Sequence, residues 1–219
     1  MFANLKYSVV RILLTEYKTV KEFNSDEYII KRSRFIGYAN PVTTIEEANA
    51  FIAEIKSKNW DATHNVYAYI LREGGIKRYS DDGEPQGTAG VPVLDVLKKE
   101  GLVDTCVVVT RYFGGILLGG GGLVRAYSHS AKIGVKSAKI ITMSLCLDME
   151  VECDYTFYGR LGAFLAAEGA VVLDTRFTDS VKIIFRIKSE DKDTLKAKLT
   201  ELSNGRVFSS VISENFCEF

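Results

Sequence analysis

The sequence predicts an α+β protein of two domains. Apolar residues recur with strand and helix periods along the chain, and the order of these segments changes after residue 140. Six of the 18 glycines lie between Gly114 and Gly122, directly between a strand-like run and a helix-like run. We therefore predict a first domain at residues 15–140 and a second at 141–219. Residues 1–14 are expected to be a loosely packed N-terminal extension.

The first domain alternates predicted strands with predicted helices. Runs rich in Val, Ile, Tyr and Phe predict strands at residues 17–24, 28–42, 64–71 and 104–113. Helical periodicity predicts helices at residues 44–59, 91–100 and 123–138. Thr44-Ile-Glu-Glu47 has the spacing of a capping box, and Pro92 and Gly101 mark the two ends of the second helix. The polar stretch at 72–90 is predicted to be a long loop, a feature that is usually functional or mobile.

The second domain has the pattern of a ferredoxin-like fold. Strands are predicted at residues 145–152, 170–177, 180–187 and 206–213. Asp154 and Ser189 are expected to cap two helices, which Gly169 and Gly205 end. The resulting order, β-α-β-β-α-β, is that of the split βαβ arrangement.

Composition excludes several classes of protein. Hydrophobic residues make up 47% of the chain and charged residues 26%, which is ordinary for a globular protein. No apolar stretch approaches the ~20 residues that a spanning helix needs, so no membrane partner is expected. The four cysteines lie far apart without a Cys-x-x-Cys pair, which favours reduced thiols and a cytoplasmic protein. No metal and no cofactor are expected, because the two histidines and scattered cysteines do not form a zinc motif.

The glycine cluster favours either an anion site or a close backbone crossing. A glycine-rich turn that opens a helix leaves backbone N–H groups open to an anion. The spacing fits neither the phosphate loop of nucleotide hydrolases nor the dinucleotide fingerprint. The alternative is a tight strand-to-helix connection in which two backbones touch.

Basic residues surround this cluster. The net charge is zero, but residues 1–140 hold 19 Lys and Arg against 15 Asp and Glu. Downstream of the glycines, cations recur at spacings of 4, 3, 4 and 3 and so share one helix face: Arg125, His129, Lys132, Lys136 and Lys139. With Arg111, Lys77 and Arg78 they predict a positive patch around the backbone of Gly119, Gly120, Gly121 and Gly122. The alternative is an ordinary solvated helix face.

Three carboxylates crowd into the loop before the second helix. Asp81, Asp82 and Glu84, with His64, could gather a metal ion or carry acid–base chemistry. Alternatively they order the long loop, because turns use the same residue types. His64 beside Cys106 could also activate a thiolate, although a thiol in a Val-rich strand is usually an inert core residue.

The motifs of the first domain resemble those of the IMPACT family, in its bacterial YigZ-like branch. The matching segments are Ala62-Thr-His-Asn65, Tyr79-Ser-Asp-Asp-Gly-Glu-Pro85, Gly87-Thr-Ala-Gly90, Val109-Thr-Arg-Tyr-Phe-Gly-Gly115, Leu118-Gly119 and Gly121-Gly-Leu-Val-Arg-Ala-Tyr127. The resemblance implies a first domain similar to domain two of ribosomal protein S five, a fold that touches ribosomal RNA. It also implies a link to translational control.

The resulting expectation is a non-catalytic protein that binds RNA or the ribosome and regulates translation. Its basic glycine-rich patch would contact phosphates. One alternative is a metal-assisted hydrolase or phosphotransferase that uses His64, Asp81, Asp82 and Glu84. A second alternative is a protein-interaction module that uses the ferredoxin-like sheet.

Overall fold

A computed structural model describes residues 15–219. The chain divides into two compact units, Tyr17–Thr142 and Met143–Phe219, and residues 15–16 belong to the second. The predicted α+β class is confirmed. The domain limits given above stay a prediction, and the expected extension at 1–14 lies outside the described residues.

The first unit is built on an antiparallel sheet. Strand β1 (Glu16–Val20) comes first in the chain and is not part of this sheet. The strands of the sheet are β2 (Asn24–Ile30), β3 (Ser33–Pro41), β4 (His64–Ile70), β5 (Lys77–Ser80) and β6 (Thr105–Tyr112). Its helices are α1 (Ile45–Lys58), α2 (Gly90–Glu100) and α3 (Gly120–Ser137). The sheet has the strand order β2-β3-β6-β4-β5, so the Val-rich β6 lies at its centre.

Helices cover both faces of this sheet. Phe51 and Ile55 of α1 pack on the face that carries Tyr38 and Val108. The opposite face packs against α2 and α3, whose buried side chains include Leu97, Leu123, Tyr127 and Ala131. β6 is consequently buried on both faces, which explains its unbroken apolar run.

The second unit has the predicted ferredoxin-like order. Its elements are β7 (Ile140–Cys153), α4 (Tyr155–Ala167), β8 (Val171–Phe177), β9 (Val181–Lys188), α5 (Lys192–Leu202) and β10 (Ser209–Glu218). The strand order β10-β7-β9-β8 is antiparallel throughout. Met149 and Phe185 of the sheet are fully buried with Leu161 of α4 and Leu195 of α5.

Several predicted element limits were wrong. The strand predicted at 28–42 is two strands, because the chain reverses at Lys31 and Arg32, with φ of 46° and 62°. Positive φ at both positions is typical of a two-residue hairpin turn, which Asn-Gly usually signals and a basic pair does not. The loop predicted at 72–90 contains β5, and α3 begins three residues before the predicted start because its first turn consists of glycines.

Two glycines bring α3 against β3. A Cβ added to Gly37 would lie 1.9 Å from the carbonyl oxygen of Ser130, and one added to Gly134 would lie 2.6 Å from that of Gly37. Neither distance is physically allowed, so the two backbones touch here. These glycines therefore set the depth at which α3 packs on the sheet.

Gly134→Ala is expected to lower the free energy of unfolding by about 1–3 kcal/mol, because the added methyl group overpacks this crossing. Gly121→Ala in the same helix is the matched control, since its Cβ would meet nothing closer than 3.9 Å. Ala has the higher helix propensity, so the control should gain up to about 1 kcal/mol. Urea denaturation measures both variants, and a gain in stability for Gly134→Ala would contradict the contact.

Candidate functional site

The first turn of α3 exposes its backbone. Gly119 precedes the helix with φ of 70°, and no side chain caps the helix start. Gly120 and Gly121 are exposed, and a Cβ on either would meet no atom closer than 3.9 Å. The N–H groups of a first turn have no partner inside the helix, and among residues 15–219 those of Gly120, Gly121 and Gly122 find none elsewhere. Packing therefore does not explain Gly120 and Gly121.

Gly114, in contrast, is required by packing. A Cβ there would lie 2.0 Å from the carbonyl carbon of Arg32, inside the hairpin between β2 and β3. The two interpretations of the glycine cluster therefore apply to different glycines. Gly114 serves a backbone crossing, whereas Gly120 and Gly121 leave a helix end open.

Arg125 is the cation nearest to this open helix end. Its Nη1 lies 3.9 Å from the position that a Cβ of Gly121 would take, because residues four apart on a helix are neighbours. Within residues 15–219 Arg125 forms no ion pair. The positive end of the helix dipole and a free guanidinium thus face the same space.

The rest of the predicted basic face is exposed, but acidic residues lie beside part of it. His129, Lys132 and Lys136 are exposed on α3, and the His129 ring packs 4.3 Å from that of Tyr28. A groove of about 500 Å³ between α2 and α3 brings Asp95 and Glu100 beside His129 and Lys132. Positive charge is therefore least opposed at the Arg125 end of the face.

Lys139 does not belong to this face. It follows the end of α3 with φ of 59°, and its Nζ lies 2.7 Å from a carboxylate oxygen of Glu22. This contact raises the pKa of Lys139.

Lys77 and Arg78 do not flank the glycine turn, contrary to expectation. Both are exposed on β5, which is one edge of the sheet, whereas α3 packs on β2 and β3 toward the other edge. Residues 77–80 of the loop at 72–90 pair with β4 as an edge strand, and this pairing places Lys77 and Arg78 at the edge of the sheet.

Arg111 is a buried structural cation, so the expectation of an exposed one was wrong. It is 5% exposed, and its Nη1 lies 2.5 Å from Oε1 of Glu84. Arg111 shares the face of β6 that carries Val107 and Val109, and this face packs against α2 and α3. The guanidinium carbon also lies 5.4 Å from the ring centre of Phe35 and 5.3 Å from that of Phe113. The Arg111 Nε has no hydrogen-bond partner among the described residues, and these rings line its surroundings.

Glu84 joins three elements at this point. Besides Arg111 on β6, its Oε1 accepts a hydrogen bond of 2.7 Å from the Tyr127 hydroxyl on α3, and Nε2 of His64 on β4 lies 3.8 Å away. Burial, followed by the charge of Glu84, raises the pKa of Tyr127, so the phenol stays protonated and donates. The Tyr127 role was missed from sequence, although a tyrosine on an apolar helix face signals a hydroxyl that needs a partner.

The other two carboxylates of the loop have separate partners. Asp81 accepts hydrogen bonds from the N–H groups of Gly87, Ala89 and Gly90, and so orders the start of α2. Asp82 binds Lys56 Nζ and the N–H of Asn65, and its carbonyl oxygen lies 2.7 Å from His64 Nδ1.

These partners do not fit a metal centre. No group of three potential metal ligands occurs among residues 15–219. Asp81, Asp82 and Glu84 each hold a different element of the first unit in place.

Cys106 lies away from His64, so the proposed thiolate pair was wrong. Cys106 pairs with Tyr69 across the sheet, whereas His64 pairs with Arg111. Positions 106 and 111 point to opposite faces of β6 because side chains alternate along a strand. Complete burial raises the pKa of the Cys106 thiol, which keeps it protonated.

The described part of the chain is an α+β protein with an open, cationic helix end and a buried ion-pair network. None of the helices described is long and apolar enough to cross a bilayer. Residues 31–135 match the model of the Impact N-terminal domain, and residues 151–206 match a domain of unknown function, DUF1949.

Full-length relatives make the family clear. IMPACT family member YvyE of Bacillus subtilis is 42% identical over 195 residues, which cover 89% of this chain and 90% of the relative. IMPACT family member YigZ of Escherichia coli is 30% identical over 188 residues, covering 84% and 92% of the two chains. The chain belongs to the IMPACT family.

One further relative matches less than half of this chain, and one solved structure matches most of it. The rat Protein IMPACT is 34% identical over 95 residues, which are 41% of this chain and 29% of that protein. A crystal structure of a hypothetical protein has a TM-score of 0.58 and 28% identity, covering 93% of this chain and all of that one.

Arg111→Met is expected to lower the free energy of unfolding by about 3–5 kcal/mol, because it leaves Glu84 buried without its cation. The double variant Arg111→Met, Glu84→Gln removes that unpaired charge and should recover most of the loss. Chemical denaturation measures the free energies. Lys198→Met is the matched control, since its ion pair with Glu168 is exposed and contributes less than about 1 kcal/mol. Equal losses for the single and double variants would contradict the pairing.

Proposed function

We propose that this protein binds RNA through phosphate groups at the start of α3, without turnover. The observation that carries the proposal is the bare first turn at Gly120, Gly121 and Gly122, with the Arg125 guanidinium, which forms no ion pair within residues 15–219, beside it. Backbone N–H groups at a helix start bind anions, and an adjacent Arg adds a planar donor set suited to phosphate.

A polyanion fits this surface better than a single small anion. Arg125, His129, Lys132 and Lys136 follow one another along one exposed face. Arg125 and Lys136 are eleven positions apart, or ~16 Å along the helix axis at 1.5 Å per residue. Arg125, Lys132 and Lys136 are the cations of this row, and a row of this length can meet successive phosphates of one strand with little sequence preference.

The proposal assigns no catalytic role to His64, Asp81, Asp82 or Glu84. Each of the three carboxylates is already bound to backbone N–H groups, to Lys56, or to Arg111 and Tyr127. Groups held in this way are poorly placed to bind a substrate. No cofactor is proposed for the site.

Membership of the IMPACT family supports a role in translation. The resemblance implies translational control, and a sequence-tolerant phosphate site suits the RNA of the translation apparatus. We propose a cytoplasmic setting, with RNA or the ribosome as partner.

A protein-interaction role has one specific observation in its favour. β8 is an edge strand of the ferredoxin-like sheet, and Val171, Val172 and Leu173 are 50%, 48% and 44% exposed. Exposed apolar edge strands invite pairing with a second chain. A protein partner held there should stay bound to the purified protein after nuclease and high-salt washes, whereas RNA should not.

Arg125→Ala is expected to weaken binding to a single-stranded RNA and to flatten its salt dependence. The slope of log K against log[salt] should fall by about 0.7, because one phosphate contact is lost. Fluorescence anisotropy over a salt series measures both quantities. Lys198→Ala removes one cation from the second unit and should change neither. An unchanged affinity and slope in Arg125→Ala would refute the site.

Gly121→Asp is expected to move stability and binding in opposite directions. The new carboxylate would stabilise the helix start by about 0.3–1 kcal/mol, and it would also repel phosphate. Gly121→Asn, the uncharged variant of the same shape, shields the backbone to the same extent and should bind RNA more tightly than Gly121→Asp. Thermal unfolding and RNA titration of both variants test this. Equal RNA affinities for Gly121→Asp and Gly121→Asn would show that phosphate does not approach the turn.

A further inference from the structure

Large apolar side chains are exposed on two neighbouring loops of the first unit. Trp60 is 83% exposed, Phe113 45%, Ile116 40% and Leu117 81%. The loop after α1 and the loop after β6 are joined at Thr63, whose Oγ1 accepts a hydrogen bond of 3.1 Å from the N–H of Phe113. We call these four side chains the apolar rim. Such a cluster is costly in water and typically marks a binding surface.

The Phe113 ring is held in place although it is half exposed. The guanidinium of Arg111 lies 5.3 Å from its centre, and Arg111 itself is fixed by Glu84 and by the Phe35 ring. Gly114, the next residue, is pinned against the hairpin at Arg32 and donates to Ser33 Oγ at 3.2 Å. A ring with fixed support and an open surface is a suitable platform for stacking.

Three residues of the apolar rim lie in the segment that leads into α3. Phe113, Ile116 and Leu117 lie in the loop that leads directly to Gly119 and Gly120. The ion pair that supports Phe113 also contacts α3, through Tyr127. Tyr127 lies seven residues after Gly120, or ~10 Å along the helix. An aromatic platform and an anion site are thus built into one loop-to-helix segment.

We propose that the RNA bound at α3 is single-stranded, with one base stacked on Phe113 and apolar contacts from Trp60 and Leu117. This inference rests on the proposed phosphate site. The bases of a duplex are stacked on one another, so they are not free to occupy the platform. A purely apolar partner is disfavoured, because the loop that carries Phe113 and Leu117 leads to N–H groups and a guanidinium that find no partner within residues 15–219 and complement phosphate.

The test compares three probes on the full-length protein: a short oligoadenylate, an abasic ribose-phosphate oligomer of equal length, and an RNA duplex of that length. Oligoadenylate is expected to bind about tenfold more tightly than the abasic oligomer, because stacking on an aromatic side chain is lost in the latter. Phe113→Leu should remove this difference and leave abasic binding unchanged. Phe208→Leu, which changes a 71% exposed phenylalanine of the second unit, is the matched control.

Trp60 supplies an independent signal, because it is the only tryptophan of the 219 residues. Its fluorescence should be quenched by oligoadenylate and not by the abasic oligomer. Equal affinity for all three probes, unaffected by Phe113→Leu, would overturn the stacking proposal and leave the phosphate site standing. Failure of every probe to bind would overturn both, and would favour a protein as the occupant of the rim.

Discussion

The buried ion pair between Arg111 and Glu84 is the interaction on which the first unit depends. Taking both charges out of water is costly, and their attraction offsets that cost only when the remaining polar atoms are also satisfied. Here the Tyr127 hydroxyl donates to Glu84 and two aromatic rings flank the guanidinium, while Arg111 Nε has no hydrogen-bond partner among the described residues. One contact therefore fixes β6, α3 and the loop before α2 relative to one another. It also sets the position of Phe113, the proposed stacking platform.

The three carboxylates of the loop before α2 are also held by specific donors. Asp81 orders the start of α2, Asp82 bridges Lys56 of α1 and the backbone of β4, and Glu84 reaches β6 and α3. Neighbouring carboxylates would repel one another if they converged, yet each one here meets donors from a different element. The cluster that looks catalytic in sequence thus acts as a connector of the layers. Its three carboxylates are all engaged in contacts that hold elements of the first unit in place.

Features with local causes could be predicted from sequence, and features with distant partners could not. Thr44 caps α1 through the N–H of Glu47, and Pro92 and Gly101 delimit α2, because these signals act within one helical turn. The hairpin at Lys31 and Arg32 has no such signal. Arg111 was misassigned because its anion lies 27 positions away in sequence. Its place after Val107 and Val109 on the same strand face was the available indication that it points inward.

The glycines of the cluster also differ in their physical cause, and this difference bears on function. Gly114 has no room for a Cβ, and Gly119 has a positive φ, so structure alone accounts for both. Gly120 and Gly121 meet neither condition, although Gly is a weaker helix former than Ala. A side chain there would shield the N–H groups of the first turn. Two exposed glycines that relieve no strain are consistent with the proposed phosphate site, in which the ligand reaches the backbone itself.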